Sequence, residues 1–183
     1  MSSRAVIALA VLAAVLLARF WPSGSGDSHS PRSGDRMAAV VTRAVDGDTV
    51  HVRESGGRDV TVRLLGIDTP ETHRPGTPVE CGGREASASM ARLAPRGARV
   101  TLATDPTQDR VDRYGRLLAY VFLANGRLLE DEQLRSGWAM VYVFHGNPVE
   151  RITEFRREEG RAESERRGVW AECGGDFHTA AAG

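Results

Sequence analysis

Lysine is absent from the 183-residue chain, so all 24 of its basic residues are arginines. The 24 acidic residues balance them, and the formal net charge is zero. A neutral chain is not a polycation that coats nucleic acid without selectivity, so any anion must be bound by a few arginines at particular positions. A basic set made only of arginine is typical of a GC-rich genome and indicates a bacterial protein.

Cysteine is scarce, with Cys81 and Cys173 as its only two positions. Two cysteines are too few for a zinc ribbon or a cysteine-rich scaffold, and the five histidines show no spacing typical of metal ligands. With 41% hydrophobic and 26% charged residues, the composition is that of a globular protein. The length allows one compact domain and little more.

The chain also has no long apolar run, because its longest, residues 5–18, is shorter than the roughly 20 residues of a membrane-spanning helix. Such a run after Arg4 is typical of a secretory signal peptide. No clear cleavage site follows, so residues 1–21 are predicted to be either a signal peptide or an uncleaved N-terminal membrane anchor. The protein is therefore expected to be secreted, or anchored outside the cell. Residues 22–36 are rich in Ser, Gly, Asp and Pro and are predicted to be a flexible linker.

Export affects how the two cysteines are interpreted. In an oxidising compartment, two thiols of one small domain usually pair. A disulfide between Cys81 and Cys173 would close a loop of roughly 90 residues and contribute about 4 kcal/mol in the chain-entropy model. The alternative is two unpaired thiols.

Residues 37–173 carry the signals of one folded domain. Alternating apolar residues and turn signals predict five strands, at residues 39–44, 48–53, 60–65, 99–103 and 117–123. Helices are predicted at three places: residues 85–93, residues 128–135, and from a cap at Asn147-Pro148 to about Arg167. Strands followed by helices indicate an α+β fold, a small antiparallel barrel with helices packed outside it. Residues 174–183 are predicted to be a disordered tail.

Two short clusters would be unremarkable if each stood alone. Residues 46–49, DGDT, are typical of a hairpin turn in which aspartates accept hydrogen bonds from turn amides. Residues 112–116, DRYGR, suit a loop with two solvated arginines around a turn glycine.

A third cluster, residues 63–72 with the sequence RLLGIDTPET, is less easily explained. Arg63 lies in a strand of otherwise apolar and hydroxyl residues, and a buried arginine needs an anion. That anion could be a ligand, or Asp68 or Glu71 in an internal salt bridge.

Together the three clusters supply the groups needed to hydrolyse a phosphodiester. Asp48 and Asp68 lie on strands that can be neighbours, and carboxylate oxygens suit Ca²⁺, Mg²⁺ or Mn²⁺. Glu71 stands three residues beyond Asp68, close enough to act as a base on water. Arg63 and Arg116 can each bind phosphate oxygens through the guanidinium fork and stabilise the charge of the transition state.

The chain resembles the thermonuclease family, the staphylococcal-nuclease-like calcium-dependent nucleases. The matching segments are 45–50 (VDGDTV), 63–65 (RLL), 68–72 (DTPET), 112–116 (DRYGR), 119–120 (AY) and 168–170 (GVW). They follow the family's order and cover about residues 41–170. The resemblance implies a five-stranded OB-fold barrel with three packed helices. It also implies a monomeric endonuclease that cleaves DNA, RNA or both to products ending in 3′-phosphate.

The resemblance implies roles for individual residues as well. Three residues would hold Ca²⁺: Asp48, Asp68 and, through its backbone carbonyl, Thr69. Glu71 would be the general base. Arg63 and Arg116 would bind the scissile phosphate and its transition state.

Further matching residues would bind the remainder of the substrate. Arg113 and Tyr114 correspond to positions that contact a neighbouring phosphate, and Tyr142 to an aromatic residue that lines the nucleotide pocket. Phe144 stands where the family has a second pocket tyrosine, which keeps the stacking surface but loses a hydroxyl group. Residues 73–83 depart from the family's loop, so a disulfide at Cys81 would stiffen a loop beside the site.

Two other function classes remain open from the sequence. One is a non-catalytic OB-fold module that binds nucleic acid or protein, since the fold alone does not determine function. The other is a structural secreted or surface-anchored protein whose acidic turns bind calcium. Neither explains why two arginines and a candidate base accompany the acidic turns.

Overall fold

The computed structural model describes residues 35–72, 76 and 78–179 of the chain. The predicted signal peptide or anchor, most of the predicted linker and residues 180–183 lie outside this range. No helix within the described range is both long and apolar enough to cross a membrane.

Five strands close into a barrel, and their order around it is β1-β2-β3-β6-β5. They are β1 (Arg36–Ala44), β2 (Thr49–Glu54), β3 (Asp59–Leu64), β5 (Arg99–Ala103) and β6 (Leu117–Leu123). All five lie within three residues of their predicted bounds, and the α+β OB-fold class is confirmed. The strands are not all antiparallel, however, because β3 and β6 run parallel where the barrel closes. A long connection that contains β5 and a helix separates these two strands in sequence.

A second, two-stranded sheet lies outside the barrel. In it β4 (Ile67–Asp68) pairs antiparallel with β7 (Met140–Val141). Two-residue strands are too short to show a periodic pattern, so the sequence did not predict them. The pairing brings the chain after residue 140 beside Asp68, one of the candidate ligands.

Four helices pack around the barrel in the described part of the chain. They are α1 (Gly83–Leu93), α2 (Leu129–Ser136), α3 (Ile152–Ser164) and α4 (Val169–Glu172). The bounds of α1 and α2 agree with prediction to within two residues, whereas the short α4 was not predicted. Gly137 ends α2 in the left-handed conformation, at φ 78°. A Cβ atom there would lie 2.3 Å from the carbonyl oxygen of Arg167, so this position requires glycine.

The prediction that Asn147-Pro148 caps the third helix was wrong. The helix begins only at Ile152. Asn147 instead makes hydrogen bonds with residues of another loop. Its side-chain amide donates a hydrogen bond of 2.7 Å to the carbonyl of Thr107, and its own carbonyl accepts one from Gln108 at 3.2 Å. These partners lie about 40 residues away in the chain, so a local capping rule could not anticipate them.

The hydrophobic core fills the barrel and continues under the helices. Fully buried side chains come from the barrel and from three helices, and examples are Val52, Leu102, Met90, Leu134 and Phe155. Each such side chain contributes roughly 1.5–3 kcal/mol through burial. The polar residues at one end of β3 therefore lie on a well-packed hydrophobic core.

Cys81 and Cys173 form a disulfide with their Cα atoms 5.9 Å apart, which confirms the predicted pair. Beyond it, residues 174–179 of the predicted tail lie against the domain. Phe177 is only 3% exposed, and the carbonyl of Thr179 accepts a hydrogen bond of 2.9 Å from the backbone N–H of Cys81.

Candidate active site

Arg63 stands at the centre of the candidate site, near the end of β3. Its Nη2 atom lies 2.9 Å from an oxygen of Asp48 and 2.8 Å from an oxygen of Asp68. Its Nη1 atom donates hydrogen bonds of 2.8 Å to the carbonyls of Leu64 and Ile67. The buried arginine therefore has internal anions, and Asp48 joins the expected Asp68. The same contacts hold the guanidinium rigidly beside both candidate ligands.

The turn between β1 and β2 places Asp48 beside Arg63. Thr49 pairs with Arg63 across the two strands, so residue 48 comes beside the end of β3. Gly47 allows the close approach, because a Cβ atom there would lie 2.6 Å from Oγ1 of Thr69. The amide of Gln133 also donates a 2.7 Å hydrogen bond to the carbonyl of Gly47. The turn is thus fixed against the segment that carries Thr69.

Three carboxylates, those of Asp46, Asp48 and Asp68, interact electrostatically with the single guanidinium group of Arg63. Burial, with the neighbouring carboxylate of Asp48 as the second cause, raises the pKa of Asp46 to about 7. Burial also raises the pKa of Asp68 to about 6, against the opposing attraction of Arg63. For Arg63, burial lowers the pKa, but Asp48 and Asp68 outweigh it and hold the pKa above its ordinary value. A cation at this cluster would relieve the repulsion.

The chemistry of the donor set fits Ca²⁺. Asp48 and Asp68 supply carboxylate oxygens that both approach Nη2 of Arg63, and the buried Thr69 follows Asp68 in the chain. Among the described residues, no three side chains of His, Cys, Asp or Glu come together as a metal site. A calcium ion here would therefore depend on backbone carbonyls and water to complete its shell, as hard cations commonly do.

Glu71 lies just beyond β4 and is half-buried. Its backbone is held on both sides by Glu80: the N–H of Glu71 donates to Oε2 of Glu80 at 2.9 Å, and its carbonyl accepts from the N–H of Glu80 at 3.0 Å. Glu80 itself is only 4% exposed. Sequence reasoning missed Glu80, because no motif marks a residue whose function is to hold another residue's backbone.

Arg116 immediately precedes β6, the parallel neighbour of β3. Val62 pairs with Leu117, and both point into the barrel, so the alternation of side chains places Arg63 and Arg116 on the outer face. Asp112 fixes Arg116 by accepting from its Nε at 2.7 Å and from its backbone N–H at 3.0 Å. Asp112 thus holds Arg116 one residue before the strand that pairs with β3.

Arg113 and Tyr114 lie in the same turn and are mostly exposed. The ring of Tyr114 is flanked by two guanidinium groups, with Arg113 at 4.7 Å and Arg116 at 5.3 Å from its centroid. Tyr114 is 67% exposed, so this aromatic and cationic cluster faces solvent rather than the core. Such a surface suits phosphate and base contacts.

Tyr142 and Phe144 form a second exposed aromatic pair. Their ring centroids are 6.4 Å apart, and both rings are about half exposed. The backbone N–H of Tyr142 donates to the carbonyl of Gly66 at 2.9 Å, which places this pair beside β4. His145 stacks on Phe144 at 4.0 Å, an additional ring that the sequence did not indicate. Exposed rings of this kind can stack on bases.

Comparison with known proteins identifies relatives of this chain. A sequence profile described as "Staphylococcal nuclease homologue" matches residues 61–172. Among curated proteins, the chain is 38% identical over 151 residues to "Endonuclease YncB" of Bacillus subtilis, covering 82% of this chain and 69% of that one.

Two further relatives match the chain over very different shares of their own length. The chain is 42% identical over 136 residues to "SPbeta prophage-derived endonuclease YokF" of Bacillus subtilis, covering 74% of this chain but only 44% of that protein. It is 31% identical over 169 residues to "Thermonuclease" of Staphylococcus hyicus, covering 91% of this chain and 95% of the relative. With the profile match over more than half its length and the OB-fold barrel in place, this chain belongs to the staphylococcal nuclease family.

Proposed function

We propose that this protein is a calcium-dependent nuclease that hydrolyses phosphodiester bonds of DNA, RNA or both and leaves 3′-phosphate ends. The observation that carries the proposal is Arg63, fixed between Asp48 and Asp68 with Glu71 following β4. Relatives named as endonuclease and thermonuclease support the same reaction class.

Asp48, Asp68 and the backbone carbonyl of Thr69 would hold the calcium ion. When bound, Ca²⁺ would polarise a phosphate oxygen and offset the charge that develops on it. The acidic cluster supports this assignment, because burial and mutual repulsion raise the pKa values of Asp46 and Asp68.

Glu71 accepts a proton from the water molecule that attacks phosphorus. The new bond joins the water oxygen to phosphorus, and the bond to the 5′-oxygen of the next nucleotide breaks. That oxygen takes up a proton from solvent to become a hydroxyl group, and the phosphate stays on the 3′ side. Arg63 and Arg116 donate hydrogen bonds to the phosphate oxygens as negative charge grows on them. Asp112 orients Arg116 through Nε, so its terminal nitrogens are the pair suited to the phosphate.

The exposed aromatic and cationic residues would bind the rest of the substrate. Arg113 and Tyr114 meet a neighbouring phosphate, while Tyr142 and Phe144 stack on a base. Phe144 has no hydroxyl group, so its contribution is stacking alone. No excess of positive charge is needed for this binding, because a few arginines at particular positions would make the phosphate contacts of the neutral chain.

We further propose that the protein acts outside the cell as a monomer, either free or held by its N-terminal segment. The Cys81–Cys173 disulfide supports this location, because disulfides form and persist mainly in oxidising compartments.

Hydrolysis of DNA and RNA with and without calcium tests the proposal. We expect cleavage in Ca²⁺, no cleavage after chelation, and poor restoration by Zn²⁺, because the site offers oxygen ligands only. Full activity after thorough chelation would contradict the calcium assignment. Binding of nucleic acid without cleavage in any metal would instead identify a non-catalytic OB-fold module.

A further inference from the structure

A buried residue, Glu80, holds the backbone of Glu71, the proposed base. Glu80 is buried and makes a reciprocal pair of backbone contacts with Glu71, through its own N–H at 3.0 Å and its Oε2 at 2.9 Å. The position of the Glu71 backbone therefore depends on where Glu80 stands.

We call residues 173–179 the strap. The strap contacts both Glu80 and the next residue, Cys81. The strap makes three different contacts with this short stretch. Cys173 is covalently bonded to Cys81, the carbonyl of Thr179 accepts from the N–H of Cys81 at 2.9 Å, and Nδ1 of His178 lies 3.5 Å from Oε1 of Glu80. The covalent bond and the hydrogen bond end on the residue next to Glu80.

The strap is itself anchored to the domain. Phe177 is 3% exposed, and the N–H of Gly175 donates to the carbonyl of Val169 in α4 at 3.1 Å. A Cβ atom on Gly175 would lie 2.8 Å from the ring of Trp170, so the strap passes directly over α4. A chain of contacts thus runs from α4 through the strap to Glu80 and on to Glu71.

We propose that the strap is a positioning element of the nuclease: through the disulfide and Glu80 it holds Glu71 in its working geometry. This inference rests on the proposed function. Its consequence is that turnover depends on the redox state of Cys81 and Cys173, although neither residue touches the substrate. Misplacement of a reacting group by about 1 Å can cost 10²-fold in rate, so a loosened strap lowers kcat without removing binding groups.

The test compares the oxidised protein with the same protein reduced by dithiothreitol. Dithiothreitol gives two electrons and two protons to the disulfide, the S–S bond breaks into two thiols, and dithiothreitol closes into its cyclic disulfide. Both cysteines are only half-buried, and titration of two thiols verifies that reduction is complete. Initial rates are measured over a range of DNA concentrations in saturating Ca²⁺, at a temperature where the reduced protein remains folded. We expect kcat to fall about tenfold and KM to change less than about threefold.

Three comparisons, made with four variants, separate positioning from a general loss of structure. The double variant Cys81→Ser/Cys173→Ser should have the low kcat of the reduced protein and no response to dithiothreitol. Val52→Ala, a cavity in the barrel core, should lower the unfolding temperature but keep kcat and remain sensitive to dithiothreitol.

The third comparison addresses Glu80 directly. Glu80→Ala removes the acceptor for the N–H of Glu71 and should lower kcat, while Glu80→Gln keeps an acceptor oxygen and should restore most of it.

The outcomes are distinct. A fully reduced protein, verified by two titratable thiols, that turns over as fast as the oxidised one would overturn the inference and leave the proposed nuclease standing. Equal losses in Val52→Ala and in the double-serine variant would also overturn it, because the strap would then act through stability alone. An oxidised protein that hydrolyses no nucleic acid would contradict the proposed function itself.

Discussion

Arg63 serves both the fold and the proposed chemistry with one guanidinium group. Its two terminal nitrogens contact two carboxylates and two carbonyls, and they orient the planar group before any phosphate arrives. An arginine alone in solution would have to lose side-chain entropy on binding, whereas this one has already lost it during folding. The buried arginine that stood out in the sequence is thus explained by internal partners that also serve the site.

Asp105 shows how a second buried carboxylate contributes to stability rather than to chemistry. It accepts hydrogen bonds from the hydroxyl of Tyr120 at 2.5 Å, from Thr107 and from the backbone of Glu150. Burial raises its pKa, but these hydrogen bonds outweigh burial and hold the pKa below the ordinary value. A carboxylate with a lowered folded pKa stabilises the protein above its unfolded pKa of about 3.9, and that stabilisation disappears as the pH falls through the folded value.

Asp105→Asn should therefore lower the free energy of unfolding at pH 7 by about 1–3 kcal/mol. The difference from wild type should shrink when both proteins are unfolded by urea below about pH 3.9. Asp109→Asn, an exposed change four residues away, is the matched control and should have no effect at either pH. A difference that stays constant with pH would mean that the charge of Asp105 contributes nothing.

At the scale of elements, the sequence predicted the strands that a repeating local pattern marks. It did not predict elements or contacts that depend on residues far apart in the chain. The barrel strands could be predicted because alternation and turn residues are local signals. The two-residue strands β4 and β7 could not, because only their pairing defines them. Asn147 has a capping side chain, yet its contacts with Thr107 and Gln108 lie across the fold. The motifs indicated Arg63, whereas Glu80 carries no motif and became visible only through its contacts.

The β1–β2 turn offers a test at this scale, because Gly47 has no room for a side chain. Gly47→Ala would place a methyl group 2.6 Å from Oγ1 of Thr69 and 2.9 Å from Cβ of Ala86. We expect the Thr69 segment to shift, the protein to lose about 1–3 kcal/mol of stability, and calcium affinity to fall. Calorimetric titration with Ca²⁺ and thermal unfolding measure both effects. Gly56 has open space around it, so the control Gly56→Ala should leave stability and calcium affinity unchanged. A Gly47→Ala protein with wild-type stability and calcium affinity would refute the packing argument.

At the scale of the whole molecule, the disulfide links residues 92 positions apart in a domain that already has a closed barrel. Unfolded protein without reductant should show no reactive thiol. The double variant Cys81→Ser/Cys173→Ser should fold, because the barrel keeps its own core, but with a free energy of unfolding lower by about 2–4 kcal/mol. Denaturant titration measures this difference. A double variant that does not fold would show that the barrel core alone is insufficient.

The central claim is that Glu71 works as a base at a site that binds phosphate and calcium by other means. Glu71→Gln keeps the size of the side chain and leaves Asp48, Asp68, Arg63 and Arg116 in place. Loss of a positioned base typically costs about 10²–10⁴ in rate, or roughly 3–5 kcal/mol of barrier.

The most direct measurement is turnover of DNA by Glu71→Gln beside its affinity for a 3′,5′-bisphosphonucleotide in Ca²⁺. The account predicts turnover lower by at least about 10² and affinity within about tenfold of wild type. Turnover near the wild-type rate would reduce Glu71 to a turn residue and contradict the mechanism, although the family would still stand.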